Sequence, residues 1–429
     1  MKQAKWNIFA ATILASSILI SSALAAPTSS GPNSPAQNLF EQASFYLKFH
    51  YHGFSSVNLE ILVARYKQEL DRVCSGQGEK CSYETARPVL SRMLNEVRDG
   101  HTYFISPENY AESLVAQQGS SGPSDKPLIG WRLEGTLGGV LVAELISDGP
   151  AQLGGVHRFD KIVAMNGTRF TGGQNGIQQI RAASAAGQTT RFEIARGQAR
   201  FEVTLTPKIL QSTDLLPYLE DSGAPSVMLL RIPSFETYEK TGMKVHELVN
   251  QAVSRNTTGM IVDLRDNPGG FLTECVAAAG AFVGNFSMIF ESRFESTTDG
   301  YKDGTVEDND PIEPQSYRIP NPAKFTGKVV TLVNSSTASC GEEFAYRMQL
   351  ERRGLVIGEP TYGILNTATN DFVLIDRSAL AITTVRALEA NGKPFPERVT
   401  PDVKLVDNFL EIGRDGRDAL VERALELLR

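Results

Sequence analysis

Apolar positions change their spacing as the chain proceeds. Leu59, Leu62, Tyr66, Leu70 and Val73 recur every three or four residues, as do Leu90, Met93, Leu94 and Val97. That spacing marks one face of a helix, so residues 37–118 are expected to form a small helical domain. From 125 to 208 the period shortens to two: Val140–Leu145, Lys161–Met165 and Phe201–Leu205 read as strands between Gly-rich turns. From 214 to 406, short apolar runs at Val227–Ile232, Met260–Leu264 and Val329–Val333 alternate with helical patterns over 236–254, 271–283 and 340–350. Strands alternating with helices imply βαβ units and a mostly parallel sheet. Residues 407–429 close the chain with an amphipathic helix from Asp415. The polar stretch 117–126 is a linker, and the acidic, Pro-containing stretch 291–322 reads as an exposed excursion, with a hairpin as one form of it. The expected class is a multi-domain α/β protein.

Composition narrows the partners. With 42 Lys and Arg against 49 Asp and Glu in 429 residues, the net charge is -7. No basic excess offers itself to phosphates, which argues against nucleic acid. Lys2 and Lys5, the apolar run from Ile8 to Ile20 and Ala23-Leu24-Ala25 have the order of a cleavable secretory signal, so 1–25 is assigned that role. The mature protein is then expected in a periplasm or outside the cell, with no membrane span. That setting permits disulfides. Cys74 and Cys81 flank a polar, Gly-containing hexapeptide and are expected to be bonded to each other. Cys275 and Cys340 are expected as buried free thiols, with a disulfide between them as the alternative. Neither H-E-x-x-H nor a spaced His/Cys cluster occurs, so neither metal nor cofactor is expected.

Residues 149–167, G-P-A-Q-L-G-G-V-H-R-F-D-K-I-V-A-M-N-G, resemble the PDZ signature. A PDZ domain adds an extended peptide to a sheet edge and captures its terminal carboxylate on loop amides. The resemblance puts that peptide-binding loop at Ile129, Gly130, Trp131 and Arg132.

Three apolar strands run into polar or Gly-rich turns in the last third. They lead to Asp263-Leu264-Arg265-Asp266-Asn267-Pro268-Gly269-Gly270, Asn334-Ser335-Ser336-Thr337-Ala338-Ser339-Cys340-Gly341 and Gly358-Glu359-Pro360-Thr361-Tyr362-Gly363. Pro396-Glu397-Arg398-Val399-Thr400-Pro401-Asp402 follows. With the PDZ signature upstream, this order resembles the C-terminal processing (tail-specific) serine peptidase family. The resemblance implies a crotonase-like α/β catalytic core and a polypeptide substrate. Amide hydrolysis needs a nucleophile, a base and donors for the developing oxyanion. The resemblance makes Ser339 the nucleophile, and the backbone N–H of Cys340 with that of Gly269 or Gly270 the oxyanion hole.

The base departs from the best-known branch, which uses a lysine in T-x-G-K. Here Thr361-Tyr362-Gly363 is followed by Ile364, which cannot take a proton. Asp99-Gly100-His101-Thr102 instead resembles the histidine-using, tricorn-like branch, which implies His101 as base. In the same branch a glutamate orients the histidine, and Glu397 holds that motif position. Gly100 stands where that branch has a serine, so either Glu397 contacts His101 directly, or Asp99 or water takes that place. The expected activity is a serine endopeptidase acting on extended polypeptide. The alternative is a non-catalytic peptide- or ligand-binding protein on the same fold.

Overall fold

The computed structural model describes residues 33–117, 123–136, 139–309, 315–408, 411–412 and 417–429. The expected signal segment lies outside them, as do residues 118–122 of the expected linker.

Three helices open the described chain: Pro35–His50, Leu59–Cys74 and Tyr83–Asn95. The Ser34 hydroxyl accepts from the Gln37 amide, and the Asn58 side chain accepts from the amides of Glu60 and Ile61, so the first two helices begin on capped donors. Their inner faces bury Leu39, Phe40, Leu47, Leu62, Leu70, Leu90 and Met93. The apolar stripe of the second helix runs on from Leu70 to Cys74 rather than to Val73. Val73 is exposed, whereas Cys74 is buried and bonded to Cys81 with Cα atoms 5.5 Å apart.

This helical core is not self-contained. Leu374, Leu380 and Ile382, from the far end of the chain, complete it. The short strand Tyr103–Ile105 also pairs antiparallel with Ala379–Ala381. Both joints lie beside the Asp99–Thr102 segment, and they tie it to the last domain.

The middle domain is a sheet in the order Trp131–Thr136, Gly139–Leu145, Lys161–Met165, Thr190–Arg196, Ala199–Leu205. Val140, Val142, Ile162, Phe192 and Ile194 line its core, with Ile177 and Ile180 from the helix Gly173–Ala185. Trp131–Thr136 is an edge strand.

The last domain holds a six-stranded sheet in the order Val403–Lys404, Leu355–Gly358, Lys328–Val333, Gly259–Asp263, Val227–Arg231, Tyr218–Asp221. All neighbours are parallel except the final pair. Helices Thr241–Ser254, Leu272–Val283 and Cys340–Leu350 join the main core on one face. Leu420, Ala424 and Leu428 of the helix Ala419–Leu428 cover Ile261, Val330 and Leu332 on the other. Burial on both faces is why the central strands read as continuous apolar runs.

A second, antiparallel sheet is built around Ala379–Glu389, flanked by Thr367–Val373 and Phe286–Ser292. It continues through Ser296–Lys302, Thr305–Glu307 and Tyr317–Arg318. The hairpin read at 291–322 is present, Ser296–Lys302 pairing antiparallel with Thr305–Glu307, but its expected exposure is corrected: Tyr301, Val306, Tyr317 and Ile319 belong to the main core. Isolated apolar residues among polar ones suffice here, because a strand turns only alternate side chains inward.

Candidate active site

The strands Gly259–Asp263 and Lys328–Val333 lie side by side and parallel, so their carboxyl ends deliver two turns to one place. One turn carries Gly269 and Gly270, with φ of 101° and 139°. The other carries Ser339 at the start of the helix Cys340–Leu350, with φ 50° and ψ -119°. A non-Gly residue in that region is strained and persists only where its surroundings hold it. The holding is visible. The Ser339 amide donates to Glu342 Oε2 at 2.9 Å. Glu342 is fully buried and also accepts from the Thr361 hydroxyl (2.5 Å) and from the amides of Gly363 (2.9 Å) and Ile364 (3.0 Å). One carboxylate thus joins the serine to the T-Y-G-I segment.

The Gly turn closes directly on the serine. A Cβ at Gly269 would stand 2.7 Å from Ser339 Cβ and 3.1 Å from the Cys340 nitrogen. The Ala338 amide donates to the Asn267 carbonyl at 2.9 Å. The Gly269 amide is occupied, donating to Asn267 Oδ1 at 2.8 Å. Gly270 is joined to Phe235 through flanking groups, Phe235 N to Gly269 O and Phe271 N to Phe235 O, which leaves its own N–H out of that bridge.

His101 reaches this point from the other end of the chain. Its Nε2 lies 3.3 Å from Ser339 Oγ, and its Nδ1 lies 2.8 Å from Thr367 Oγ1. Asp99 Oδ1 accepts from the His101 amide (2.9 Å) and the Thr383 hydroxyl (2.7 Å), while Oδ2 accepts from the Tyr51 hydroxyl (2.8 Å). Asp99 therefore holds the histidine loop by its backbone. Burial pushes the His101 pKa down to about 4, against the attraction of Asp99, so the imidazole is neutral near pH 7.

Glu397 is not brought to His101. Its side chain points outward and pairs with Arg398 at 2.9 Å, while its carbonyl accepts from the Leu365 amide at 3.0 Å. The hydroxyl of Thr367 stands at the Nδ1 position assigned to a carboxylate by motif order. Nothing in the local sequence singles out Thr367, because a strand places it there.

Cys275 and Cys340 are not free thiols. They are bonded to each other, with Cα atoms 5.6 Å apart. Each lies in the first turn of its helix, and those two helices begin at the two converging turns. His246, on the helix Thr241–Ser254, is buried away from this site; its Nε2 meets the Ala277 carbonyl at 2.9 Å and its Nδ1 accepts from the Ala323 amide at 2.8 Å.

Residues 226–405 match the family model described as Peptidase family S41, and residues 127–206 match that of the PDZ domain. The chain thus carries a peptidase S41 domain and, upstream of it, a PDZ domain. It is 25% identical over 341 residues to the tail-specific protease of Haemophilus influenzae, covering 75% of this chain and 44% of that protein. It is 23% identical over 278 residues to the carboxy-terminal processing protease CtpA of Bacillus subtilis, covering 64% and 55% respectively. The chain thus spans about half the length of these relatives. A putative S41 protease structure from Bacteroides fragilis superposes with a TM-score of 0.51 at 13% identity, covering 90% of this chain and 96% of that one, and so shares its fold.

In the PDZ domain, the segment expected to bind peptide is pinned by its carbonyls. Ile129 O accepts from Ala151 N at 2.9 Å and Gly130 O from Ile146 N at 3.0 Å. Gly130 has φ 82°, and its Cα side abuts Gly149. Trp131 stands edge-on to Phe192, ring centroids 5.2 Å apart, while Arg132 is exposed. The edge strand is open from Trp131 until Gly135, where the backbone of Gly173 meets it.

A cavity of about 430 Å³ opens where the PDZ domain meets the S41 domain, away from Ser339. Its charged walls are paired internally. Arg231 bonds Glu144 at 2.6 Å, Arg265 bonds Asp263 at 2.7 Å and Asp418 at 2.8 Å, and Arg158 of the PDZ signature pairs with Asp266. The Arg231–Glu144 and Arg158–Asp266 pairs join the two domains across this cavity.

Proposed function

We propose that the protein is a serine endopeptidase of extended polypeptides, with Ser339 as nucleophile and His101 as base. The observation that carries this is the 3.3 Å approach of His101 Nε2 to Ser339 Oγ, between residues 238 apart in sequence. A proton on Nδ1, donated to Thr367 Oγ1, leaves the Nε2 lone pair facing the serine hydroxyl. Nε2 takes the hydroxyl proton as Oγ attacks the scissile carbonyl carbon. The imidazolium then gives that proton to the departing amine, leaving an acyl-Ser339 ester. Water repeats the sequence to release the acid. The oxyanion is held by the amides of Cys340 and Gly270; Gly269, whose amide serves Asn267, shapes the turn instead.

Thr367 orients the histidine in this reading, and Glu397 has no direct part. The PDZ edge strand from Trp131 to Glu134, which continues the expected binding loop Ile129–Arg132, suits addition of an extended substrate tail. The two disulfides favour work in an oxidising compartment, as the expected signal segment requires.

A fluorophosphonate probe tests the assignment together with hydrolysis of an unfolded protein. Wild type is labelled at Ser339 and turns over, Ser339→Ala does neither, and His101→Ala loses both by several orders of magnitude. Peptide binding without labelling or turnover by wild type would establish the non-catalytic binder instead.

A further inference from the structure

We infer that the Cys275–Cys340 disulfide is a positioning element of the oxyanion hole, on which the rate of acyl transfer depends. This rests on the Ser339 reading above and adds Cys275 to the residues that serve it.

The two amides of the hole come from separate turns. Parallel pairing aligns their strands only as far as Asp263 and Leu332. Beyond that, four hydrogen bonds join the turns: Asn334 Nδ2 to Asp266 Oδ1 (2.8 Å), the Asp266 amide to Asn334 Oδ1 (3.0 Å), the Thr337 hydroxyl to the Leu264 carbonyl (2.9 Å), and Ala338 N to Asn267 O (2.9 Å). All four lie upstream of the two donors. Downstream, the Gly turn is tied to Phe235, a segment outside the serine turn, and its helix begins at Phe271 with no side-chain cap. The disulfide bridges the turns on this second side. Its Cys340 sulfur belongs to the residue whose amide is a donor, and Cys275 sits one turn past Gly270.

The hole needs such a tie. Ser339, Gly269 and Gly270 all hold positive φ, a conformation that relaxes when its surroundings loosen. Both cysteines are buried, 0% and 4% exposed, so the bond is internal to the site rather than a surface staple. The Cys74–Cys81 bridge, in contrast, closes its own short loop in the helical domain.

The test uses the full mature chain carrying Cys74→Ser and Cys81→Ser, leaving Cys275–Cys340 as its one disulfide. A dithiol such as dithiothreitol reduces it by exchange. One thiolate of the reagent attacks a cysteine sulfur and releases the other cysteine; the reagent's second thiolate then attacks its first sulfur in the mixed disulfide and displaces the attacked cysteine, yielding two protein thiols and a cyclic disulfide. The thiols are counted by mass. Turnover of fluorescent casein and fluorophosphonate labelling at Ser339 are read before reduction, after it, and after reoxidation, with a thermal melt at each stage. The inference expects kcat to fall at least about tenfold with KM held, bounded by the roughly 10²–10³-fold cost of losing a whole donor. Labelling falls in parallel, and both return on reoxidation. Cys275→Ala reproduces the reduced state. Unchanged kcat with both thiols free overturns the inference, as does a loss that merely follows the unfolded fraction in the melt. Absence of turnover and labelling in the oxidised protein overturns the Ser339 reading itself, and this inference with it.

Discussion

Gly100 and Ile364 are in contact: a Cβ at position 100 would stand 2.5 Å from Ile364 Cγ2. Gly100 precedes the histidine, and Ile364 takes the place where the resemblance expects a lysine. Because Gly100 does not hold positive φ, its glycine answers to space rather than to backbone conformation. Gly100→Ser should therefore displace His101 from Ser339. A shift of about 1 Å in a catalytic group costs on the order of 100-fold, so kcat should drop by that order with KM little changed. Ile364→Ala, which clears the space, should restore much of the loss in the double variant. A Gly100→Ser enzyme as active as wild type would show that the loop absorbs the side chain without moving the imidazole.

The Thr367 hydroxyl, 2.8 Å from His101 Nδ1, makes a second expectation. Thr367→Val keeps the shape and removes the partner, freeing the ring to rotate and to exchange tautomers. We expect kcat to fall by roughly tenfold or more, with Thr367→Ser recovering most of it. Glu397→Gln should cost much less, since Glu397 pairs with Arg398 at the surface. The reverse ranking, measured as kcat on one substrate, would return the orienting role to Glu397.

Much of this arrangement was legible before any coordinates. Strand and helix positions in the last third follow from runs such as Met260–Leu264, because strands buried on both faces leave an unbroken apolar signal. Ser339 and His101 stand in motifs that a resemblance can carry. What escaped depends on pairings the local sequence does not encode. Thr367 is one hydroxyl in a polar strand until that strand pairs with Ala379–Glu389. Glu397 has the right neighbours but turns outward. His246 is one polar position in a helical pattern, and nothing local shows that two backbone groups satisfy its ring inside the core. The Cys275–Cys340 bond stood only as the alternative reading, because motif order can bring two helix starts to one cleft without giving the distance between their cysteines, here 5.6 Å between Cα atoms.

The Cys74–Cys81 bridge should act on stability alone. It closes a loop of about eight residues, for which the chain-entropy relation gives on the order of 2 kcal/mol. Its loop lies at the end of the helix Leu59–Cys74 and supplies no group to Ser339 or His101. Cys74→Ser with Cys81→Ser should lower the urea midpoint by a corresponding amount while kcat and KM hold. A kcat loss in the fully folded variant would contradict this separation.

Burial of ionisable groups sets two pH limits. His101, held near 4, is already an unprotonated base at pH 5–6, so the acid limb of kcat/KM should fall close to pH 4 instead of near 6.5. Its lowered pKa also means that the unfolded chain binds the proton more readily; stability tied to His101 is complete above 6.5 and is lost as pH falls toward 4. His246, also pushed by burial to about 4, adds a loss of the same sign. Glu220 works oppositely. Burial raises it to about 8, so the folded state holds its proton between about 4.5 and 8 while the unfolded state does not. Its contribution is complete below 4.5 and disappears as pH rises through 8. Glu220→Gln keeps the neutral shape at every pH, so its stability relative to wild type should rise steadily from pH 5 to pH 8.5. Urea unfolding of both proteins across that range measures the difference, and a difference independent of pH would mean that Glu220 is ionised in the folded protein.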